Sequence, residues 1–119
     1  MKKTLALAAF FALCTYGQTL CAQDVCSTNP KHCKLLSDTA GVKMMLITLP
    51  PGAKLAKHTH PVNFGYCLKG GLYKWTYDNG KTESFQMKPG DHFQSGPEEP
   101  HFAWNAGKTT IQFILIEKQ

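Results

Sequence analysis

The sequence predicts an all-β domain, built as a sandwich or a barrel of short strands. Segments rich in β-branched and aromatic residues recur about every ten residues, and Gly, Pro, Asn or Asp separates them. No segment of the sequence combines a helical period of apolar residues with capping residues. The chain has 119 residues and lacks internal repeats, so we expect one domain with one core.

The predicted strands follow one another with turn signals between them. The first strand is apolar on both faces, and Pro50-Pro51-Gly52 ends it. Asp78-Asn79-Gly80 is the strongest hairpin signal, since Asn-Gly tolerates the positive φ values of a tight turn. Residues 96–100, which include two prolines, are predicted as a loop. Strands are predicted over residues 42–49, 54–60, 62–69, 72–77, 81–87, 92–95, 101–104 and 109–117.

Residues 1–22 have the pattern of a secretory signal peptide. Lys2 and Lys3 form a basic start, a run of apolar and small residues follows, and Ala22 is a small residue before a cleavage site. The apolar run is too short for a comfortable membrane span. We expect cleavage after Ala22, a periplasmic or secreted protein, and no stable membrane insertion once the signal is removed. The alternative is an uncleaved anchor.

The charge pattern predicts no nucleic-acid partner. The formal net charge is +5, and loss of Lys2 and Lys3 with the signal would leave +3. The remaining lysines are scattered, and the sequence contains no basic helix or aromatic-basic motif.

Residues 23–41 are mostly polar and are interpreted as an N-terminal arm that packs on the main domain, residues 42–119. An oxidising compartment would allow a disulfide between Cys26 and Cys33 across a short loop of this arm. A zinc site that combines both cysteines with His32 is an alternative, although the spacing matches no zinc motif.

A His-x-His pair, His58-Thr59-His60, lies on one predicted strand. Side chains alternate between the two faces of a strand, so both imidazoles point the same way, about 6.6 Å apart along the strand. At that separation they can bind one metal ion. Taken alone, the pair is equally consistent with two solvated surface histidines.

A second stretch changes this interpretation. In the first motif five residues separate Gly52 from His58-Thr59-His60, and Tyr66-Cys67-Leu68-Lys69-Gly70 follows. The second contains Pro89-Gly90-Asp91 and, later, Pro100-His101 with Asn105 four residues after the histidine. In this order and spacing the two motifs resemble those of the cupins. The chain departs from the cupin pattern in the loop of the second motif, where Gly96 and Glu98 replace the usual Pro and Gly.

The resemblance implies a cupin-type double-stranded β-helix, which is a small jelly-roll barrel. It also implies one divalent transition metal inside the barrel, held by His58, His60 and His101. Three neutral imidazoles suit Fe, Zn, Mn, Ni or Cu and leave coordination positions for water or another ligand. The alternative is a barrel without metal, in which the histidines are buried and hydrogen-bonded.

The first motif lacks the carboxylate that cupins usually carry. Asn63, or Phe64 if the gap is read differently, stands at the position of the glutamate. Asn63 is therefore a candidate weak ligand, or a residue that orients a ligand such as a bound water. A hydrogen-bonding residue without a role at the metal is the equally favoured alternative. Cys67 lies four residues later on the same predicted face and could also approach a metal, but a small buried hydrophobe is the simpler interpretation. A metal bound by three histidines alone keeps its full charge and would match an anionic ligand.

Two functions are consistent with the sequence. The first is an exported small cupin that binds or acts on a small anionic molecule, with dioxygenase-like activity if it carries iron. The second is a non-catalytic periplasmic module that binds a metal or a small ligand. Cupins often pair barrel to barrel, so a homodimer is expected, and the aromatic face formed by Tyr73, Trp75 and Tyr77 is either core or a subunit contact.

Overall fold

The computed structural model describes residues 24–119, so the signal peptide predicted over residues 1–22 lies outside the described residues. Within the described part of the chain, no helix is long and apolar enough to cross a membrane. One short helix and nine strands are present there: α1 Val25–Thr28, β1 Cys33–Thr39, β2 Val42–Leu49, β3 Lys54–His60, β4 Asn63–Lys69, β5 Gly71–Tyr77, β6 Thr82–Met87, β7 His92–Ser95, β8 Glu98–Asn105 and β9 Ile111–Lys118.

The strands form two antiparallel sheets. The five-stranded sheet has the order β1-β2-β9-β4-β7, and the four-stranded sheet has the order β3-β8-β5-β6. Alternate residues of β2 and β9 are buried, as expected for strands with one face on a core. These residues form one apolar cluster with buried side chains of the four-stranded sheet, among them Leu55 and Ala103. The prediction of an all-β jelly roll is confirmed.

Asn105 connects the ends of the two histidine strands. Its side-chain amide donates to the carbonyl oxygens of Leu49 and Thr109, at 2.8 Å and 2.7 Å. Its backbone accepts from Gly52, which has a φ of 78°, and donates to Ala53. This network fixes the turn before β3 against the end of β8, so the two strands that carry the histidines lie side by side.

The N-terminal segment differs from the predicted arm. Residues Cys33–Thr39 form β1, an edge strand that pairs with β2 along most of its length. All its side chains after Cys33 are exposed, so the sequence of this strand has the polar character of an arm. Cys26 and Cys33 form a disulfide with their Cα atoms 4.9 Å apart, and this bond joins α1 to the start of β1.

Strand β8 begins at Glu98, whereas the sequence predicted a loop over residues 96–100. The β3–β8 register contains the pairs His58↔His101 and His60↔Glu98, which leaves Glu99 and Pro100 together in a bulge. Pro100 has no backbone N–H, and a bulge is one of the few positions where a strand tolerates proline. The glutamates at 98 and 99 therefore belong to a strand, and the prediction that they lie in a turn is wrong.

Candidate metal centre

The three histidines of the two motifs meet inside the barrel. His58 and His60 lie on β3, and His101 lies on the neighbouring strand β8, directly opposite His58. Their ring centroids are 4.6 Å to 5.3 Å apart. One nitrogen from each ring falls within 4.8 Å of the others, and all three residues are buried. The three histidines are thus positioned to hold one metal ion.

A second bulge, on β3, aims the histidines inward. Leu55 pairs with Ala103 and His58 pairs with His101, so β3 has one extra residue between these pairs. Without the bulge, strict alternation from the buried Leu55 would turn His58 and His60 outward. With the bulge, Leu55, His58 and His60 are all buried on the same face.

The Nδ1 atom of each histidine is already engaged. His58 Nδ1 lies 2.6 Å from the Ala56 carbonyl oxygen, and His101 Nδ1 lies 2.8 Å from the Glu99 carbonyl oxygen. A carbonyl oxygen can only accept, so each of these imidazoles carries its proton on Nδ1 and leaves the Nε2 lone pair free. The third histidine, His60, places Nδ1 2.6 Å from a carboxylate oxygen of Glu117.

Glu117 was not predicted as a site residue. It lies at the end of β9 in the opposite sheet, and its side chain is 3% exposed. A carboxylate that accepts from the Nδ1–H of a metal-binding histidine fixes the ring and raises the basicity of Nε2. The sequence did contain a signal, because Glu117 continues the buried alternation of Ile111, Phe113 and Leu115, where a lone carboxylate requires a partner.

His58 carries the clearest indication that the site is built for a cation. Its Nε2 atom is buried and has no hydrogen-bond partner among the described residues. Burial, with the nearby His60 as a further contribution, lowers the pKa of His58 to about 3, so the ring is neutral near pH 7. Burial also lowers the pKa of His101. Neutral imidazoles with inward Nε2 lone pairs fit a divalent transition metal.

The carboxylate of Glu98, a residue predicted to lie in a loop, also approaches the histidines. Oε2 of Glu98 lies 3.8 Å from Nε2 of His101 and 4.0 Å from Nε2 of His60. The bulge at Glu99 and Pro100 places Glu98 and His101, three residues apart, on the same face of β8. Strict alternation back from His101 would instead have turned Glu99 inward. A proline inside a predicted strand was the available signal for such a bulge.

Asn63 lies beside this carboxylate. It is 1% exposed, and its side-chain amide donates to the Pro61 carbonyl oxygen at 3.0 Å and to Glu98 Oε1 at 3.5 Å. Asn63 therefore contacts the group that faces the histidines, as an orienting residue would.

Cys67 shares a buried face of β4 with Asn63, as predicted. Its thiol donates to the Lys69 carbonyl oxygen, and its side chain packs in the apolar core. Burial raises the pKa of this thiol, which favours the protonated form. Cys67 is not among the residues that line the cavity at the histidines, and we do not include it in the proposed ligand set.

The histidines open into a cavity of about 350 Å³ between the two sheets. Six aromatic side chains line it, and none of the described residues in its lining is Lys or Arg. Three of the six are the residues of the predicted aromatic face, which belongs to the interior rather than to a subunit contact. Among them, Trp75 donates its indole N–H to the Tyr77 hydroxyl at 3.0 Å. The six aromatic residues are Tyr73, Trp75, Tyr77, Phe85, Phe93 and Phe113.

Comparisons with known proteins agree with this fold. A cupin domain from Bordetella pertussis Tohama I is 20% identical, with a TM-score of 0.66 over 73% of this chain and 91% of that chain. An RmlC-like cupin family protein with a double-stranded β-helix fold from Methanocaldococcus jannaschii is 17% identical, with a TM-score of 0.61 over 72% of this chain and 77% of that chain. A conserved protein with a double-stranded β-helix domain from Klebsiella pneumoniae is 21% identical, with a TM-score of 0.59 over 71% and 73% of the two chains.

These identities show a shared fold and carry no further functional information. Comparison with curated protein sequences gives no significant match. The family model for the cupin domain matches residues 45–117, which span more than half of the chain and include all three histidines. The chain therefore belongs to the cupin family.

Proposed function

We propose that this protein is a metal-dependent cupin in which His58, His60 and His101 hold one divalent transition metal. The observation that carries the proposal is the Nε2 atom of His58, which is buried without a hydrogen-bond partner among the described residues, in a histidine whose ligand atom lies within 4.8 Å of those of His60 and His101. Leaving such an atom without a partner costs about 1–3 kcal/mol, and a metal ion would satisfy it. The donor set suits Fe, Zn, Mn, Ni or Cu.

The cavity beside the histidines is the proposed site for a small molecule. Its aromatic walls would bind a planar apolar part of that molecule, and the Tyr77 hydroxyl, which accepts from Trp75, keeps its own proton free to donate. A bound metal would supply a Lewis acid, or redox chemistry if it is iron. We therefore propose binding or conversion of a small molecule, with dioxygenase-like activity in the iron form.

The sequence predicts an anionic ligand, because the first motif contains no carboxylate. In the structure Glu98 lies close to His60 and His101, and no Lys or Arg lines the described cavity. An anionic group on the ligand would therefore depend on the metal alone for neutralisation. This favours a ligand with a single metal-binding anionic oxygen on an otherwise apolar body, such as a phenol or a diketone enolate.

The second candidate is a non-catalytic module that binds a metal or a small ligand in the periplasm. A disulfide between Cys26 and Cys33 is typical of proteins in oxidising compartments, which supports export for either function.

The metal site can be tested by analysing the protein purified from its own compartment. We expect close to one equivalent of a single transition metal, whereas less than about 0.1 equivalent would contradict the proposal. The His58→Ala/His101→Ala variant should lose the metal. His92→Ala, which removes an exposed histidine, should keep it and serves as the control.

The two functions can be separated once the metal is known. The iron-loaded protein would be screened for oxygen consumption with small thiols, diketones and phenols. Turnover that disappears in the double histidine variant would support an enzyme. Tight reversible binding of one of these compounds without turnover would support the binding module.

A further inference from the structure

The geometry points to Glu98 as a fourth protein ligand of the metal, which would make the site three imidazoles and one carboxylate. The carboxylate would come from β8 in the second motif, although the first motif lacks one. This role rests on the metal site proposed above. A bound Glu98 would lower the net charge of that site and leave one fewer coordination position for water or another ligand.

The Glu98 carboxylate lies close to the separation expected between two ligands of one ion. Glu98 Oε2 lies 3.8 Å and 4.0 Å from the Nε2 atoms of His101 and His60. Ligand atoms that each lie about 2.0–2.2 Å from one ion are about 3.0–3.5 Å from each other. A small side-chain movement would therefore bring Glu98 into the coordination sphere together with the histidines.

The backbone holds Glu98 in this position. Glu98 is the register partner of His60 across the β3–β8 pair, and the adjacent bulge turns its side chain toward His101. The Asn63 side-chain amide nitrogen lies 3.5 Å from the other carboxylate oxygen of Glu98, Oε1. One oxygen is thus oriented by Asn63, and the other is left facing the histidines.

Among the described residues, Glu98 has no lysine or arginine partner. Its salt-bridge contacts are to His60 and His101, and no Lys or Arg lines the described part of the cavity. Withdrawing a carboxylate from water without a cation is unfavourable, and the Glu98 side chain is 24% exposed. Glu83, the other glutamate of the cavity lining, differs because it pairs with Lys81 at 2.8 Å.

The competing role for Glu98 is to accept a hydrogen bond from a water on the metal without binding the metal itself. Both roles predict some loss of metal affinity when the carboxylate is removed. They differ in whether a carboxylate oxygen lies at bonding distance from the ion.

The first experiment compares zinc affinity in two variants by competition with a chromophoric chelator. Glu98→Gln should weaken zinc binding at least about tenfold. Glu83→Gln, which removes a charge from the lining of the same cavity, is the matched control. This control should stay within about twofold of the parent protein, since the Glu83 carboxylate pairs with Lys81 and is not among the histidine contacts in the described structure.

The second experiment is a crystal structure of the zinc-loaded parent protein, which does not depend on a variant that folds. A Glu98 oxygen at about 2.0–2.2 Å from zinc would support the proposal. A water between Glu98 and zinc, or unchanged zinc affinity in Glu98→Gln, would overturn it. Failure of the parent protein to bind zinc or any other transition metal would instead contradict the metal site itself, so the two failures are distinguishable.

Discussion

At the scale of single residues, each proposed histidine ligand is oriented through its Nδ1 atom. Two of the three use a backbone carbonyl two residues earlier on the same strand, at Ala56 and Glu99. His60 instead uses Glu117, which belongs to the opposite sheet. The orientation of the three histidines therefore depends on one side-chain contact between the two sheets, the contact of His60 with Glu117.

Glu117→Gln tests this contact. Glutamine keeps the shape of the side chain but removes the charge that accepts from His60 Nδ1–H, so Nε2 becomes a weaker donor to the metal. We expect metal affinity to fall about 10- to 100-fold, measured by chelator competition.

Glu83→Gln is again the control, because it removes a charge from the cavity lining without touching a histidine contact. Equal affinities for Glu117→Gln and the parent protein would show that Glu117 only fills the end of the core.

The sequence identified the histidines and missed both carboxylates, for different reasons. His58, His60 and His101 belong to motifs whose spacing is retained in the chain. Glu117 follows a regular alternation and could have been recognised as a buried acid. Glu98 follows no regular alternation, because a bulge reverses which residues of β8 face inward.

At the scale of elements, the predicted strands match the observed ones where hydrophobic alternation is regular. Residues 42–49 were predicted as a strand and form β2 with the same bounds. The differences fall at β1 and at the start of β8. Neither has an alternating apolar pattern, because β1 is an edge strand and β8 begins with a bulge. Both β1 and the start of β8 are determined by pairing with a neighbouring strand. The pattern of a single sequence does not contain this pairing.

In the bulge on β3, the backbone N–H of Ala56 finds its hydrogen-bond partner outside the sheet, in the N-terminal segment. Asn29 is buried and accepts from Ala56 N–H at 2.7 Å through its side-chain oxygen. Its amide group donates to the Val25 carbonyl oxygen at 3.0 Å, which ties the same side chain to α1. Asn29 thus fixes the residue whose carbonyl orients His58.

Asn29→Ala tests the role of this link. The variant would leave Ala56 N–H and the Val25 carbonyl without these partners, so we expect the free energy of unfolding of the metal-free protein to fall by about 1–2 kcal/mol. Denaturant titration would measure it. Ser27→Ala removes only an exposed side-chain bond on the same helix and is the control. If the two variants are equally stable, Asn29 does not hold the bulge.

At the scale of the whole molecule, the five-stranded sheet exposes an apolar outer patch. We define this patch as Met44, Leu46, Phe64, Tyr66, Ile114 and Ile116. The register places its members next to one another across β2, β9 and β4, and Phe64 and Tyr66 are 46% and 52% exposed. An uncharged patch of this kind can pair with its own copy about a two-fold axis, so the homodimer predicted from the sequence would form here.

Phe64→Lys should separate this dimer into monomers, because it places a charge within the apolar contact, beside Ile116. Sedimentation velocity of the parent protein and the variant would measure the oligomeric state. Phe102→Lys changes an equally exposed phenylalanine on the four-stranded sheet and should leave the dimer intact. A parent protein that sediments as a monomer at all concentrations would contradict the prediction.

The disulfide between Cys26 and Cys33 would link oxidation of the chain to metal loading at the proposed site. Asn29 lies inside the loop that this bond closes, and Asn29 fixes Ala56 next to the metal centre. Before oxidation, the segment would be held only by its hydrogen bonds and packing, and the two free thiolates would compete with the histidines for soft metal ions. Oxidation removes these competing ligands and restrains the loop at the same time. A chain that meets its metal only after leaving a reducing compartment would therefore load it at the histidines.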